Sequence, residues 1–178
     1  MEKKTAGFLN PEAILKQLDI RDNIQAADFG CGHGYFSIPL AKVANQGKVY
    51  ILDVRKSALE AVKSQAKLDK VDNIEAIHCN LEIPNGSKLS DNSMDLVVLV
   101  NILFQTEKKE EIIREAKRVL KKQGQMIVID WIPNSSLAPK KGWTISKDEA
   151  RKIVEDKKMI FEKDLEINNQ HYGMVFRK

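Results

Sequence analysis

The sequence is poor in the residues that build cross-linked or metal-held proteins. It has two cysteines, Cys31 and Cys79, and three scattered histidines, His33, His78 and His171. Two isolated thiols without a CxxC spacing cannot form a disulfide framework or a structural metal site, so we expect no metal and a reducing, cytoplasmic compartment. Long apolar runs are also missing. The longest, Leu96 to Val100, is the length of a buried strand and far too short for a bilayer span. Met1-Glu2-Lys3-Lys4-Thr5 leads into no stretch suited to a signal peptide. Neither sign of charge dominates: 29 Lys and Arg against 25 Asp and Glu leave +4. Lysines alternate with acids from Lys56 to Lys70 and from Glu107 to Lys122, as on solvated helix faces, so the charge pattern lends an RNA partner no support. Nothing in the composition sets an oligomeric state.

What is present is 178 residues, 43% hydrophobic and 30% charged, enough for one domain with a full core. Residues 1–178 are therefore read as a single domain, without internal repeat or low-complexity tract. Strand-like and helix-like patterns alternate along it. Asn10-Pro11-Glu12 starts a helix with a capping Asn and Pro at the first helical position, and Ile14, Leu15 and Leu18 give it an apolar face. Ile24 to Phe29 reads as a buried strand. Phe36, Leu40, Val43 and Ala44 then recur at helical spacing, with Pro39 near that helix's first turn. Strand Lys48 to Val54, helix Leu59–Val62–Ala66 and strand Ile74 to Cys79 follow, then a polar loop, Pro84 to Asn92, and strand Met94 to Val100. Thr106 is the expected cap of a helix carrying Ile112, Ile113, Ala116, Val119 and Leu120, which Gly124 would close in a left-handed cap. Met126 to Trp131 is the fifth strand, and Ile132 to Trp143 an irregular loop. Ser146 and Glu149 form a capping box before a last helix. Strands near Met159 to Leu165 and His171 to Phe176 close the chain, and their short link predicts a hairpin. The pattern implies an α/β fold: a doubly wound, mostly parallel seven-stranded sheet with an antiparallel C-terminal hairpin.

Asp28-Phe29-Gly30-Cys31-Gly32-His33-Gly34 falls where the first strand meets the first crossover helix. Such a junction needs residues without Cβ, because the backbone turns sharply and must approach a ligand closely. Open parallel sheets bind ligands beyond the carboxyl ends of their strands. Asp53, at the end of the second strand, can accept hydrogen bonds from both hydroxyls of a ribose. Dinucleotide sites use GxGxxG and hold an anionic pyrophosphate at the helix N-terminus. Here the glycines alternate as GxGxG, and Asp28 would repel a pyrophosphate. It would attract the ammonium of a methionyl group instead, which disfavours NAD.

At these residues the chain resembles the class I S-adenosylmethionine-dependent methyltransferases, which are Rossmann-like. The matching stretches are Ala27 to Leu40, Lys48 to Val54, His78 to Leu81, Ser93 to Phe104 and Arg118 to Asp130. The pattern is similar to the small ubiquinone/menaquinone C-methyltransferases, including the ending His171-Tyr172-Gly173-Met174-Val175-Phe176. The resemblance implies S-adenosylmethionine as cofactor and S-adenosylhomocysteine as product. By position it assigns cofactor contacts to Gly30, Cys31, Gly32 and Gly34, with Asp28 near the amino group, Asp53 and Val54 at the ribose and adenine, Asn80 and Leu81 at the adenine edge, and Asn101 beside the methionyl end. Asn80 departs from the family's usual acid, but an amide oxygen accepts the same bond.

Methyl transfer from a sulfonium is a direct displacement, governed mostly by alignment and exclusion of water. A general base is needed only if the acceptor must lose a proton. Asp130 is the candidate catalytic residue, with a strand-end carboxylate bonded to nearby backbone as the competing reading. His171 is a second group at the acceptor site, whereas Asp148 and Glu149 read as first-turn helix acids. Trp131, Trp143 and Phe104 are candidate acceptor-lining aromatics, with recognition also expected from loop Ile132 to Trp143 and the first ten residues. The expected acceptor is a small molecule. Asn101-Ile102-Leu103-Phe104 lacks the double proline of base N-methyltransferases, which argues against that chemistry. An RNA or protein methyltransferase, or a cofactor-binding protein without catalysis, are the other readings.

Overall fold

In a computed structural model describing residues 8–140 and 142–178, seven segments pair into one sheet. They are β1 (Gln25–Phe29), β2 (Lys48–Asp53), β3 (Ile74–His78), β4 (Met94–Val100), β5 (Leu120–Trp131), β6 (Ile160–Asp164) and β7 (His171–Arg177). Their spatial order is β3-β2-β1-β4-β5-β7-β6. The first five pair in parallel, and helices make the crossovers from β1 to β2, β2 to β3 and β4 to β5, while a loop joins β3 to β4. The last two run antiparallel, with β7 between β5 and its hairpin partner β6, as the short link predicts.

Five helices cover the faces: α1 (Pro11–Leu15), α2 (Ser37–Val43), α3 (Lys56–Leu68), α4 (Lys109–Val119) and α5 (Lys147–Asp156). Strand alternation sends Ala26, Ile51, Val98, Ile129 and Val175 to one face, against Ile14, Leu40 and Val62 of α1, α2 and α3. It sends Phe29, Leu52, Leu99, Val128 and Met174 to the other, against Ile113, Ala116 and Val154 of α4 and α5. The sheet is thus doubly wound. Because β1 neighbours both β2 and β4, the connections leave β1 and β4 toward opposite sides, opening a crevice above their carboxyl ends.

Local side-chain caps account for two of the five helix starts, those of α1 and α5, whereas α2, α3 and α4 begin without one. The Asn10 side chain accepts from Ala13 N at 3.0 Å, and Ser146 with Glu149 forms the full capping box of α5. Two expectations do not hold. Helix α4 starts at Lys109, because Thr106 follows a one-turn 3-10 helix, Leu103–Gln105, and its hydroxyl accepts from Lys108 N instead. Nor does Gly124 cap α4. Leu120 turns extended, β5 begins there, and Gln123 takes the left-handed φ of 67°. Pairing decides this: Leu120 joins Met94 of β4 before a register shift, and the strand resumes at Gln125 opposite Leu96. The loop before β4 is tied to α4 by buried Glu115, which accepts from Ser87 N at 2.9 Å, Ser87 Oγ at 2.5 Å and Arg118 Nη2 at 2.6 Å. Among the described residues, no helix is long and apolar enough to cross a membrane.

Candidate functional site

Beyond Phe29 the chain must leave the sheet without covering its edge. The amides of Gly30 and Cys31 both reach back to the Leu52 carbonyl, at 2.8 and 3.0 Å, folding the loop over the end of β2. Gly32 adopts φ +52°, and its amide donates to Asp53 Oδ2 at 3.0 Å. The loop and the end of β2 are therefore one hydrogen-bonded unit. Gly34, at φ +78°, has a different task. A Cβ there would lie 2.9 Å from both γ-methyls of Val62, so its bareness lets the loop dock on α3.

Above the strand ends lies a cavity of about 560 Å³, within the range of small-molecule sites. Asp28, Gly30, Cys31, Gly32, Asp53, Val54, Asn80, Leu81 and Asn101 all line it. Gly34 and Asp130 do not. Sequence reasoning missed Arg55 and Tyr35, which also line the wall, and Ser37, which stands behind Asp28. A base two residues past the strand-end acid was the signal for Arg55. Ser37 gave none, since a serine opening a helix has many uses.

Asp28 is 2% exposed and takes a 2.5 Å bond from the Ser37 hydroxyl. Burial pushes its carboxyl up to about 6, opposed by the Ser37 bond and assisted by the nearby charge of Asp53. Asp53 is also buried, which raises its pKa. Bonds from the Arg55 side chain and from the amides of Arg55 and Gly32 outweigh that, holding the carboxyl below its ordinary value. Two carboxylates in one crevice thus differ in character: one is poised near neutrality, the other fixed as an anion. With Glu82, they face Arg55 as the cation among the lining residues described. Such a wall repels a pyrophosphate and attracts a cation.

Asn101 ends β4 in a left-handed turn, φ 52°, with its amide bonded to the Ile129 carbonyl at 2.8 Å. Its side-chain Oδ1 is buried and has no hydrogen-bond partner, an acceptor aligned with nothing in the protein. Val54 is 63% exposed at the cavity wall, an apolar surface kept bare at a strand end. The Asn80 Oδ1 closes a turn by accepting from Glu82 N at 2.9 Å, leaving one oxygen lone pair for another donor. Burial raises the Cys31 and Cys79 thiols, so neither is a ready thiolate.

Asp130 lies on the opposite sheet face from Asp28. Its carboxylate accepts from Trp131 N at 2.8 Å and Phe104 N at 3.2 Å, anchoring the turn after β4. Burial pushes it up to about 6, against those backbone bonds and Lys109. Trp143 is 46% exposed; its amide donates to the Phe104 carbonyl at 2.7 Å, so the β5–α5 loop closes over that same turn. Of the first ten residues, 1–7 lie outside the described region; Leu9 lines the cavity and also accepts from the Tyr35 hydroxyl.

A doubly wound sheet with an acid-lined glycine crevice over its switch point defines the class of nucleoside-binding α/β proteins. Residues 20–174 match the family model described as a methyltransferase domain, and the chain belongs to that family, the class I S-adenosylmethionine-dependent methyltransferases. A demethylmenaquinone methyltransferase of Bacillus mycoides is 26% identical over 133 residues, 74% of this chain and 54% of the relative. The chain thus spans about half the length of the curated relatives it matches. Among solved structures, a SAM-dependent methyltransferase from Aquifex aeolicus superposes with TM-score 0.82 at 23% identity, covering 95% of this chain and 89% of its own. A geranyl diphosphate methyltransferase in complex with SAM gives TM-score 0.77 at 12% identity, covering 94% of this chain and 83% of its own.

Proposed function

We propose that residues 1–178 act as one domain that transfers a methyl group from S-adenosylmethionine to a small-molecule acceptor. The observation that carries this reading is the buried, unpartnered Asn101 Oδ1 in a cavity it shares with the Asp28 carboxylate. Buried polar groups are rarely left unpaired, and this pair matches the donors of a methionyl ammonium. The same residues accommodate the rest of the cofactor. Asp53 takes the ribose hydroxyls, Val54 offers its bare surface to the adenine ring, and Leu81 N–H with Asn80 Oδ1 meets the ring edge. Bound there, the cofactor supplies a methyl group activated by its sulfonium. The protein aligns that group by fixing both ends of the ligand, and Asp130 contributes by holding the Leu103–Gln105 turn beside it. The relatives named for quinone chemistry support a small-molecule acceptor, and the two unpaired cysteines support a reducing cytoplasmic setting.

Calorimetry with S-adenosylhomocysteine and NAD, followed by incubation with methyl-labelled cofactor, tests the reading. S-adenosylhomocysteine binding in the micromolar range with no NAD heat is expected. Tight NAD binding without S-adenosylhomocysteine binding overturns it.

A further inference from the structure

Three buried aspartates stand toward the carboxyl ends of the parallel strands, and the protein secures them unequally. Asp53 takes hydrogen bonds from Gly32 N at 3.0 Å, Arg55 N at 2.9 Å and Arg55 Nε at 3.2 Å. Asp130 takes them from the amides of Trp131 and Phe104, at 2.8 and 3.2 Å. Among the described residues, Asp28 has a single donor, the Ser37 hydroxyl, which reaches Oδ2 at 2.5 Å. Its Oδ1 has none, and Asp28 lines the cavity.

That hydroxyl is committed to the acid. A serine at the start of a helix commonly serves as its cap, but α2 is entered from Phe36 with no side-chain cap, and Ser37 is wholly buried. A hydroxyl donates to an ionised carboxylate and accepts from a protonated one, so Ser37 satisfies Asp28 in either state. Only the bond to the anion is charge-assisted, which favours the ionised form. The other groups of charge or titration that face Asp28 are Asp53 at the end of β2 and the Cys31 thiol in the glycine loop, which burial keeps uncharged. Its strand partners Ile51 and Val98 are apolar, and His33, Arg55 and Glu82 share the cavity wall.

We propose that Ser37 is a positioning residue for cofactor binding: its hydroxyl keeps Asp28 ionised and leaves Oδ1 free for the ammonium of the methionyl group. This rests on the methyltransferase reading, because an ammonium stands at Asp28 only if the cavity holds that cofactor. Without the hydroxyl, the buried carboxylate loses its one donor and takes up a proton more readily. That proton must leave before the ammonium can pair. Affinity is then lost on the acid side and kept on the alkaline side, whereas a serine that only shaped the loop would affect every pH by the same factor.

The test is calorimetric titration of the full chain with S-adenosylhomocysteine, from about pH 5 to about pH 8.5. Wild-type affinity should fall tenfold per pH unit below a midpoint near 6. Ser37→Ala should raise the midpoint by about one pH unit, the share of one hydrogen bond to a charged group, with affinity at the alkaline end within about threefold of wild type. Asp28→Asn should lack the acid limb, and adding Ser37→Ala to it should shift nothing. Carbon-13 titration of the Asp28 carboxyl without ligand should show the same rise in Ser37→Ala, whatever the cavity binds. If circular dichroism shows Ser37→Ala unfolded, Ser37→Cys replaces it; its weaker S–H donor should raise the midpoint by part of a unit. A midpoint and carboxyl titration that stay at the wild-type value overturn the inference. So does an equal loss at every pH, or a shift that persists in the Asp28→Asn background. Failure of the wild-type protein to bind S-adenosylhomocysteine at any pH, with the carboxyl titration shifted as expected, overturns the cofactor reading instead.

Discussion

Replacing Asp53 by alanine tests the proposed ribose contact directly. The carboxylate is 4% exposed and already accepts from Gly32 N at 3.0 Å, Arg55 N at 2.9 Å and Arg55 Nε at 3.2 Å. Each hydrogen bond to a charged group is worth about 1.5–3 kcal/mol, so two ribose hydroxyls lose roughly 3–6 kcal/mol of gross interaction in the variant. Some of this is offset. The ribose must displace the Arg55 side chain, whose bonds at 3.2 and 3.4 Å are the longer ones, and water can reach the amides left behind at the rim. The net loss should exceed about 1.4 kcal/mol, a tenfold rise in Kd. Calorimetry with S-adenosylhomocysteine is the assay, with circular dichroism to establish that the variant is folded. Asp53→Asn retains one acceptor and should fall between. An affinity for Asp53→Ala within twofold of wild type refutes the assignment of Asp53 to the ribose.

Cofactor affinity should depend on pH through Asp28. Its carboxyl is raised from 3.8 to about 6, and only the anion pairs with an ammonium, so affinity should fall by up to tenfold per pH unit below 6. Folding stability runs the other way. The folded state holds this proton more tightly, so its contribution is full below pH 3.8 and is lost as pH rises through 6. Asp28→Asn should therefore flatten the affinity profile and raise the Tm at pH 7; a profile that stays steep in the variant argues against an ionic contact. Gly34→Ala places a methyl 2.9 Å from Val62 at a positive φ and should cost about 1–3 kcal/mol in urea unfolding, with S-adenosylhomocysteine affinity within threefold. Unchanged stability would show that the loop docks otherwise. Glu115→Ala strands the buried Ser87 donors and takes one carboxylate from the partly exposed Arg118, and should destabilise by about 2 kcal/mol. A loss under 1 kcal/mol would mean that the Arg118–Asp91 pair holds the loop unaided.

Much of the candidate site is legible because its signals are local. Asp28, the three glycines and Asp53 sit at strand ends marked by short apolar runs, and a strand-end acid beside a glycine turn has few alternative uses. The roles within that set were less legible. Gly34 looks like its two neighbours in sequence, yet its bareness faces Val62 on α3, a helix it meets only after β2 is in place. Asp130 reads equally as a base or an anchor until the turn after β4 arrives with its Phe104 amide. Gly124 follows an apolar helix at the spacing of a cap, but pairing of Leu120 with Met94 draws the chain into the sheet first.

Periodicity and turn residues, which act over a few positions, by themselves determined the strand and helix order, the doubly wound class and the acid-lined crevice above the strand ends. Only the tertiary structure decided which polar atoms remain unpaired. Whether Asn101 Oδ1 in the crevice or His171 Nε2 outside it has a partner depends on groups from distant strands and loops meeting within about 3 Å, and no short-range pattern encodes that coincidence.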